Sequence, residues 1–282
     1  MSATATVPTN PSVPSGRAAA RVASSDVRVT FPRLVRSEWI KLWSVRSTWW
    51  VVPITVIAQA GIAWLIAYFG IDQMEQAGVE VGRFTAGELV GGIQFAQLAI
   101  CVLAVLTITG EYSTGMIRST LTAAPTRTPA LLAKGLVLLV VAFVTGVVGT
   151  VLSWAVTYPV LGETYRVDLA DSVNQRIFIG APLYLTAIAL LAFAIGALLR
   201  HSAGALATVL GLLLVVEGIL SMIPWTFFEK ISPYLPMSAG SQLVQTGSPD
   251  AVLSAWEGYG VLVAWGVVAL AAALVLAKRR DA

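Results

Sequence analysis

Six runs of apolar residues, near 49–69, 88–109, 131–157, 178–199, 203–223 and 258–277, constrain this chain more than anything else in it. Each is long enough that a helix rising about 1.5 Å per residue crosses a hydrocarbon core about 30 Å thick. No water is available at that depth, so every run must pair its own backbone N–H and C=O groups, which a helix does. The chain is 57% hydrophobic and 12% charged, against roughly a quarter charged in an ordinary soluble domain. That balance makes the runs membrane spans and not the interior of a water-soluble core. The predicted fold is an all-α integral membrane protein, with six transmembrane helices in a domain over residues 49–280. The fourth and fifth runs are separated only by Arg200-His201-Ser202, a tight hairpin.

Lysine and arginine set the expected orientation. Seven fall in residues 1–48, three at Arg118, Arg127 and Lys134, and four at Arg200, Lys278, Arg279 and Arg280. Only Arg83, Arg166, Arg176 and Lys230 fall on the other side of the predicted spans. Such asymmetry is the positive-inside pattern and predicts a multi-pass protein of the plasma membrane with both termini cytoplasmic. Residues 1–30, rich in Ala, Ser, Thr, Val and Pro, read as a disordered cytoplasmic tail with no signal-peptide core.

Residues 31–48 are predicted to form an amphipathic helix lying in the headgroup region of the bilayer. Leu34, Val35, Trp39, Leu42 and Trp43 share one arc, continued by Val45, Trp49 and Trp50, while Arg33, Arg36, Ser37, Lys41, Ser44 and Thr48 share the other. A basic face opposite a tryptophan-rich one suits an interface between water and lipid. Glu38 and Arg46 fall on the apolar arc and Ile40 on the polar one, so the separation is imperfect.

Between the second and third runs lies Gly110 to Lys134, GEYSTGMIRSTLTAAPTRTPALLAK. Residues 112–123 can form about three helical turns, with Met116, Ile117, Thr120 and Leu121 tending to one face. Pro125 and Pro129 end that helix before the next span begins. On shape alone two readings stand: an ordinary interhelical loop, which shape favours, and a short surface helix that touches a partner. Residues 224–257 are apolar for a loop and too short to span twice, and both re-entrant half-helices and an aromatic belt segment fit them.

The reactive inventory is small. Cys101 is the single cysteine and His201 the single histidine, so neither a disulfide framework nor a histidine-based metal site or triad has material to build on. There is no G-x-x-x-x-G-K-[ST] phosphate loop and no H-E-x-x-H. The chain is therefore read as a non-enzyme that binds no cofactor or metal itself, and nothing in its charge points to nucleic acid. Glu217 is the one acid well inside a span, where it must face the bundle interior or a cavity. It is either part of a translocation path or an interhelical polar contact, for which a glutamine is the expected partner. Gln94 and Gln97 in the second span and Gln59 in the first are available. Small residues at Gly146 and Gly149 of the third span predict close helix packing.

The basic amphipathic helix RLVRSEWIKL at 33–42, the six spans, and the sequence EYSTGMIR at 111–118 followed by Pro125-Thr126-Arg127 resemble the permease subunits of ABC-2 type ATP-binding-cassette transporters, most nearly those of high-GC Gram-positive bacteria. The resemblance covers roughly residues 31–280. It implies a transmembrane subunit, working as a homodimer or heterodimer in the lipid bilayer and acting as an exporter. Power would come from two copies of a separate ATPase that bind ATP and Mg. It also implies that the loop after the second span docks on that ATPase through Glu111, Tyr112, Gly115, Met116, Arg118, Leu121, Pro125 and Arg127, and that the helix carrying Arg33, Arg36, Trp39, Lys41 and Trp43 lies beside it. Two other classes stay open: an ATPase-coupled anchor or sensor that moves nothing, and an ion-driven secondary transporter.

Overall fold

The computed structural model describes residues 30–77, 83–115, 127–223, 226–247 and 251–279. In chain order the helices are α1 (Phe31–Ser44), α2 (Arg46–Ala77), α3 (Ala86–Leu89), α4 (Ile93–Ser113), α5 (Arg127–Leu161) and α6 (Ser172–Leu199). The fifth span starts as α7 (Ser202–Leu210), passes through a wider π-type turn at Gly211–Val216 and ends as α8 (Glu217–Met222). Two short helices follow, α9 (Thr226–Ile231) and α10 (Pro236–Ser241), before the last helix α11 (Ala255–Arg279). Six of the described helical stretches are long and apolar enough to cross a membrane, and no strand occurs among the described residues. The chain is a multi-pass helical membrane protein.

The fourth span, α6, is the hub. Of its most apolar stretch 72% is buried, against 28%, 22% and 17% in the first, fifth and sixth spans. It packs against α4, α5 and α11, and α2 in turn packs against α4 and α5. The core is correspondingly made where α4, α5 and α6 meet: Ile100 and Leu103, Leu138, and Tyr184, Leu185, Ile188, Leu191 and Phe193 are all sealed from solvent. Lipid is as apolar as leucine, so contact between spans depends on close fit and on hydrogen bonds more than on hydrophobic burial. Gly149 shows the fit. A Cβ there would lie 2.4 Å from the Gln59 Oε1 of α2, so a larger residue would displace the Gln59 side chain from its place between the two helices. Gln59 Nε2 then donates to Thr150 Oγ1 at 3.1 Å, adding a buried polar tie across the same contact.

The peripheral spans leave broad apolar faces outward. Ile54, Ile57, Trp64, Leu65, Tyr68 and Phe69 on α2 are all exposed. In water such a patch would be an association hazard, but exposed apolar side chains are what a spanning helix needs on a face turned away from the bundle.

The two ends of the bundle differ. At one end α1 lies across the start of α5. At the other, the capping box of Thr85 and Glu88 starts α3. Asn174 Oδ1 accepts from Ala86 N at 2.9 Å and so seats α3 on the beginning of α6.

Candidate functional site

α1 turns most of its apolar arc inward, Glu38 included, but leaves Trp39 of that arc outward. Glu38 and Leu42 are buried, Leu34, Val35 and Lys41 half-buried, and Trp39 and Ile40 exposed. Glu38, out of place on an apolar arc, is the centre of the contact. Its carboxylate accepts from Lys134 Nζ of α5 at 2.5 Å and from Lys41 Nζ at 2.7 Å. The Glu111 carboxylate at the foot of α4 accepts from the same two ammonium groups, at 2.8 Å from Lys134 and 3.3 Å from Lys41. Two acids and two lysines thus neutralise one another, with Glu38, Glu111 and Lys134 all buried.

Removing ions from water is costly, and such a cluster holds only because each charge faces opposite charge at hydrogen-bond distance. Lys41 lies at the more open edge: burial pulls its pKa down, but the hydrogen bond it donates to Glu38 and the charges of Glu111 and Glu38 outweigh this and hold it above the ordinary 10.5. The cluster joins α1 to the last turn of α4 and the first turns of α5, which are the helices on either side of residues 116–126. Sequence reasoning placed Lys41 on the polar arc of α1 and counted Lys134 as a loop charge. The structure puts both inside this contact.

The rest of this end is built around the exit of α4. Thr114 N donates to Gly110 O at 3.1 Å, and Gly115 N donates to Tyr112 O at 3.3 Å. Gly115 has φ +71, a left-handed conformation that ends the helix and is natural only to glycine. The Arg200 guanidinium sits 5.2 Å from the Tyr112 ring centroid, and Ser202 Oγ donates to Thr109 Oγ1 at 2.8 Å, tying the α6–α7 hairpin to α4. Met116, Arg118, Leu121 and Pro125 lie outside the described residues, and Arg127 opens α5. On α1, Arg33, Arg36 and Trp39 are exposed. Trp39 and Trp43 have ring centroids 6.0 Å apart, and Trp43 packs edge-on against Trp49 at 5.2 Å. Trp49 Nε1 also donates to Trp43 O at 2.8 Å. This is an amphipathic helix with an aromatic flank.

A second polar centre lies deeper in the bundle. Glu217 begins α8 directly after the π-type turn, and such a turn inserts a residue and rotates everything beyond it. Its carboxylate accepts from Met237 N at 2.6 Å, Ser238 N at 2.7 Å and Ser238 Oγ at 2.6 Å. A glutamine was the expected partner, but the acid instead holds the first turn of α10. The reason is geometric: the opening N–H groups of a helix have no partner within it and attract a carboxylate. Gln97 is close by. Its Oε1 accepts from Tyr184 Oη at 2.5 Å, its Nε2 donates to Gln94 Oε1 at 2.9 Å, and the Met237 sulfur lies 4.0 Å from that nitrogen. Glu217, Gln94 and Gln97 are therefore gathered around α10, linked through Met237 and Tyr184. Sequence reasoning missed Tyr184, since an aromatic in an apolar run carries no mark of its hydroxyl's partner.

Six helices long and apolar enough to cross a membrane, packed around two buried polar centres, make this a multi-pass membrane protein. The model of the ABC-2 family transporter proteins matches residues 34–282. The chain belongs to that family, whose members are the membrane components of ABC transporters and generally work with an ABC ATPase. A comparison with curated proteins gave no match.

Proposed function

We propose that this permease is an exporter subunit of the plasma membrane, with both termini cytoplasmic, driven by a separate ATPase that docks on the loop between α4 and α5. The buried cluster of Glu38, Lys41, Glu111 and Lys134 is the observation that carries this reading. A docking loop can transmit force only if its two roots move together, and the cluster clamps both roots and α1 into one unit. The lysine and arginine asymmetry supports placing that end in the cytoplasm. Two permease copies and two ATPases would then rock between inward- and outward-open arrangements as the cassettes close and open. ATP and Mg belong to the ATPase.

The capping role of Glu217 gives less support to an ion-driven carrier, because its carboxylate is already held by three donors. The same cap keeps α10 within the bundle and suits a re-entrant segment ahead of the last span.

The test is a mild-detergent pull-down of the tagged chain with the co-purifying proteins identified by mass spectrometry. Recovery of a phosphate-loop ATPase at about one per permease is the expected result. In the Arg118→Glu variant, charge reversal at the contact should lower that recovery or the stimulation of ATP hydrolysis about tenfold while the permease remains folded. Normal recovery together with normal stimulation in that variant would remove Arg118 from the docking surface, and a wild-type chain that never carries an ATPase would overturn the whole reading.

A further inference from the structure

Between α5 and α6, in the half of the bundle away from α1, runs a groove of about 520 Å³. That is within the range of about 300–1,000 Å³ typical of sites that enclose a small ligand. Phe143, Val147, Val151 and Trp154 form one wall, and Ile179 and Pro182 belong to the other. Phe143, Val151, Trp154 and Ile179 are exposed, so the groove opens sideways toward lipid. The one polar wall residue, Thr150, already accepts from Gln59. From Phe143 to Trp154 the wall is about 16 Å long at the helical rise of about 1.5 Å per residue. This is about half of a 30 Å hydrocarbon core, the depth of one leaflet.

What lies at the shallow end distinguishes this groove from an ordinary gap between spans. Trp154 and Leu169 also wall a smaller cavity of about 50 Å³, together with Tyr158 and Arg166. The Arg166 guanidinium rests 4.0 Å from the Tyr158 ring centroid. Its Nε is buried with no hydrogen-bond partner among the described residues. The nearest carboxylate, on Glu163, is 4.0 Å away and its side chain is 94% exposed, so it competes weakly for the cation. An apolar slot one leaflet deep, ending at a partly buried cation whose donor is unmet, has the tail-then-phosphate order of a phospholipid.

We propose that the α5–α6 groove is a phospholipid site, in which one acyl chain lies along Phe143–Trp154 and the lipid phosphate sits against the Arg166 guanidinium. A second copy of the chain would need to present both a smooth apolar ridge and an anion at the same height, whereas a lipid carries both by construction.

Native mass spectrometry of the full chain, stripped of lipid in mild detergent and titrated with phosphatidylglycerol or with diacylglycerol of the same chains, tests this. Wild type should retain one phosphatidylglycerol per chain and prefer it over diacylglycerol by about tenfold, the loss expected for one charge-assisted hydrogen bond. Arg166→Ala should erase that preference, and Val147→Trp, which fills the groove, should abolish retention of both lipids. Arg83→Ala removes a cation of the same end that is paired with Asp168 and should leave the adduct unchanged. Wild-type retention and preference in both Arg166→Ala and Val147→Trp would overturn the proposal. So would a Val147→Trp variant that binds lipid normally but loses a dimer seen in wild type, which would give the groove to a second copy.

Discussion

Two polar centres of the permease depend on buried carboxylates, but the two are neutralised differently. Glu38 and Glu111 face the ammonium groups of Lys41 and Lys134 across three helices. Glu217 faces two backbone N–H groups and one hydroxyl. In the first arrangement every member depends on the charge of the others, so losing one strands an ion away from water. In the second the partners are neutral and belong to a helix terminus, so losing the acid leaves unmet donors and no stranded charge. The first suits a joint that must transmit force without slipping. The second suits a short helix held in place by one contact.

The largest effect should come from breaking the charge balance. Lys134→Met leaves Glu38 and Glu111 buried with Lys41 alone, and should destabilise the permease by about 3–5 kcal/mol, read as a lowered unfolding midpoint in detergent. Adding Glu38→Gln removes the one surplus negative charge. The double variant should then be more stable than Lys134→Met alone, a reversal of sign that additive, independent sites cannot produce. If the double variant is worse than the single by the full cost of Glu38→Gln, the cluster is not balanced as a unit and the contrast with Glu217 disappears.

Glu217→Gln should cost less, about 1–3 kcal/mol. An amide oxygen can still accept one N–H, but the amide nitrogen then faces the other donor. The effect should be local: hydrogen exchange at Met237 and Ser238 should rise while the core of α4, α5 and α6 keeps its protection. Exchange rising throughout would show that the α10 contact supports the whole bundle. Unchanged transport in the same variant would confine Glu217 to packing.

The spans were legible because length and apolarity are properties of each segment alone. Any helix that crosses lipid must show them, whatever it packs against. The polar contacts were legible only as anomalies. Glu38 was out of place on its helical wheel, but its partner Lys134 is 96 residues away, and no local pattern joins them. Lys134 sits just past Pro125 and Pro129, at the end of the 110–134 loop, and was counted there as a loop charge. Glu217 was marked by its depth, yet its partners are backbone amides of Met237 and Ser238, which no side-chain sequence encodes. Tyr184 carried no mark at all, because its hydroxyl matters only through Gln97 on another helix.

The smallest effect sharpens the same comparison through pH. Lys41 sits at the half-exposed edge of the cluster, so Lys41→Met should cost only about 0.2–1 kcal/mol near neutral pH, the scale of a partly solvated pair. Its pKa is held above 10.5, burial opposing and the hydrogen bond and charge of Glu38 with the charge of Glu111 prevailing. A lysine whose folded pKa is raised stabilises fully below its unfolded value and loses that contribution as pH climbs through the folded one. The stability gap between wild type and Lys41→Met should therefore stay constant from pH 7 to about 10.5 and close above it. Glu217→Gln should show no such closure in the alkaline range, since none of its donors titrates there. A gap that closes already near pH 9 would mean that burial outweighs the carboxylates at Lys41, and that the joint is held by Lys134 alone.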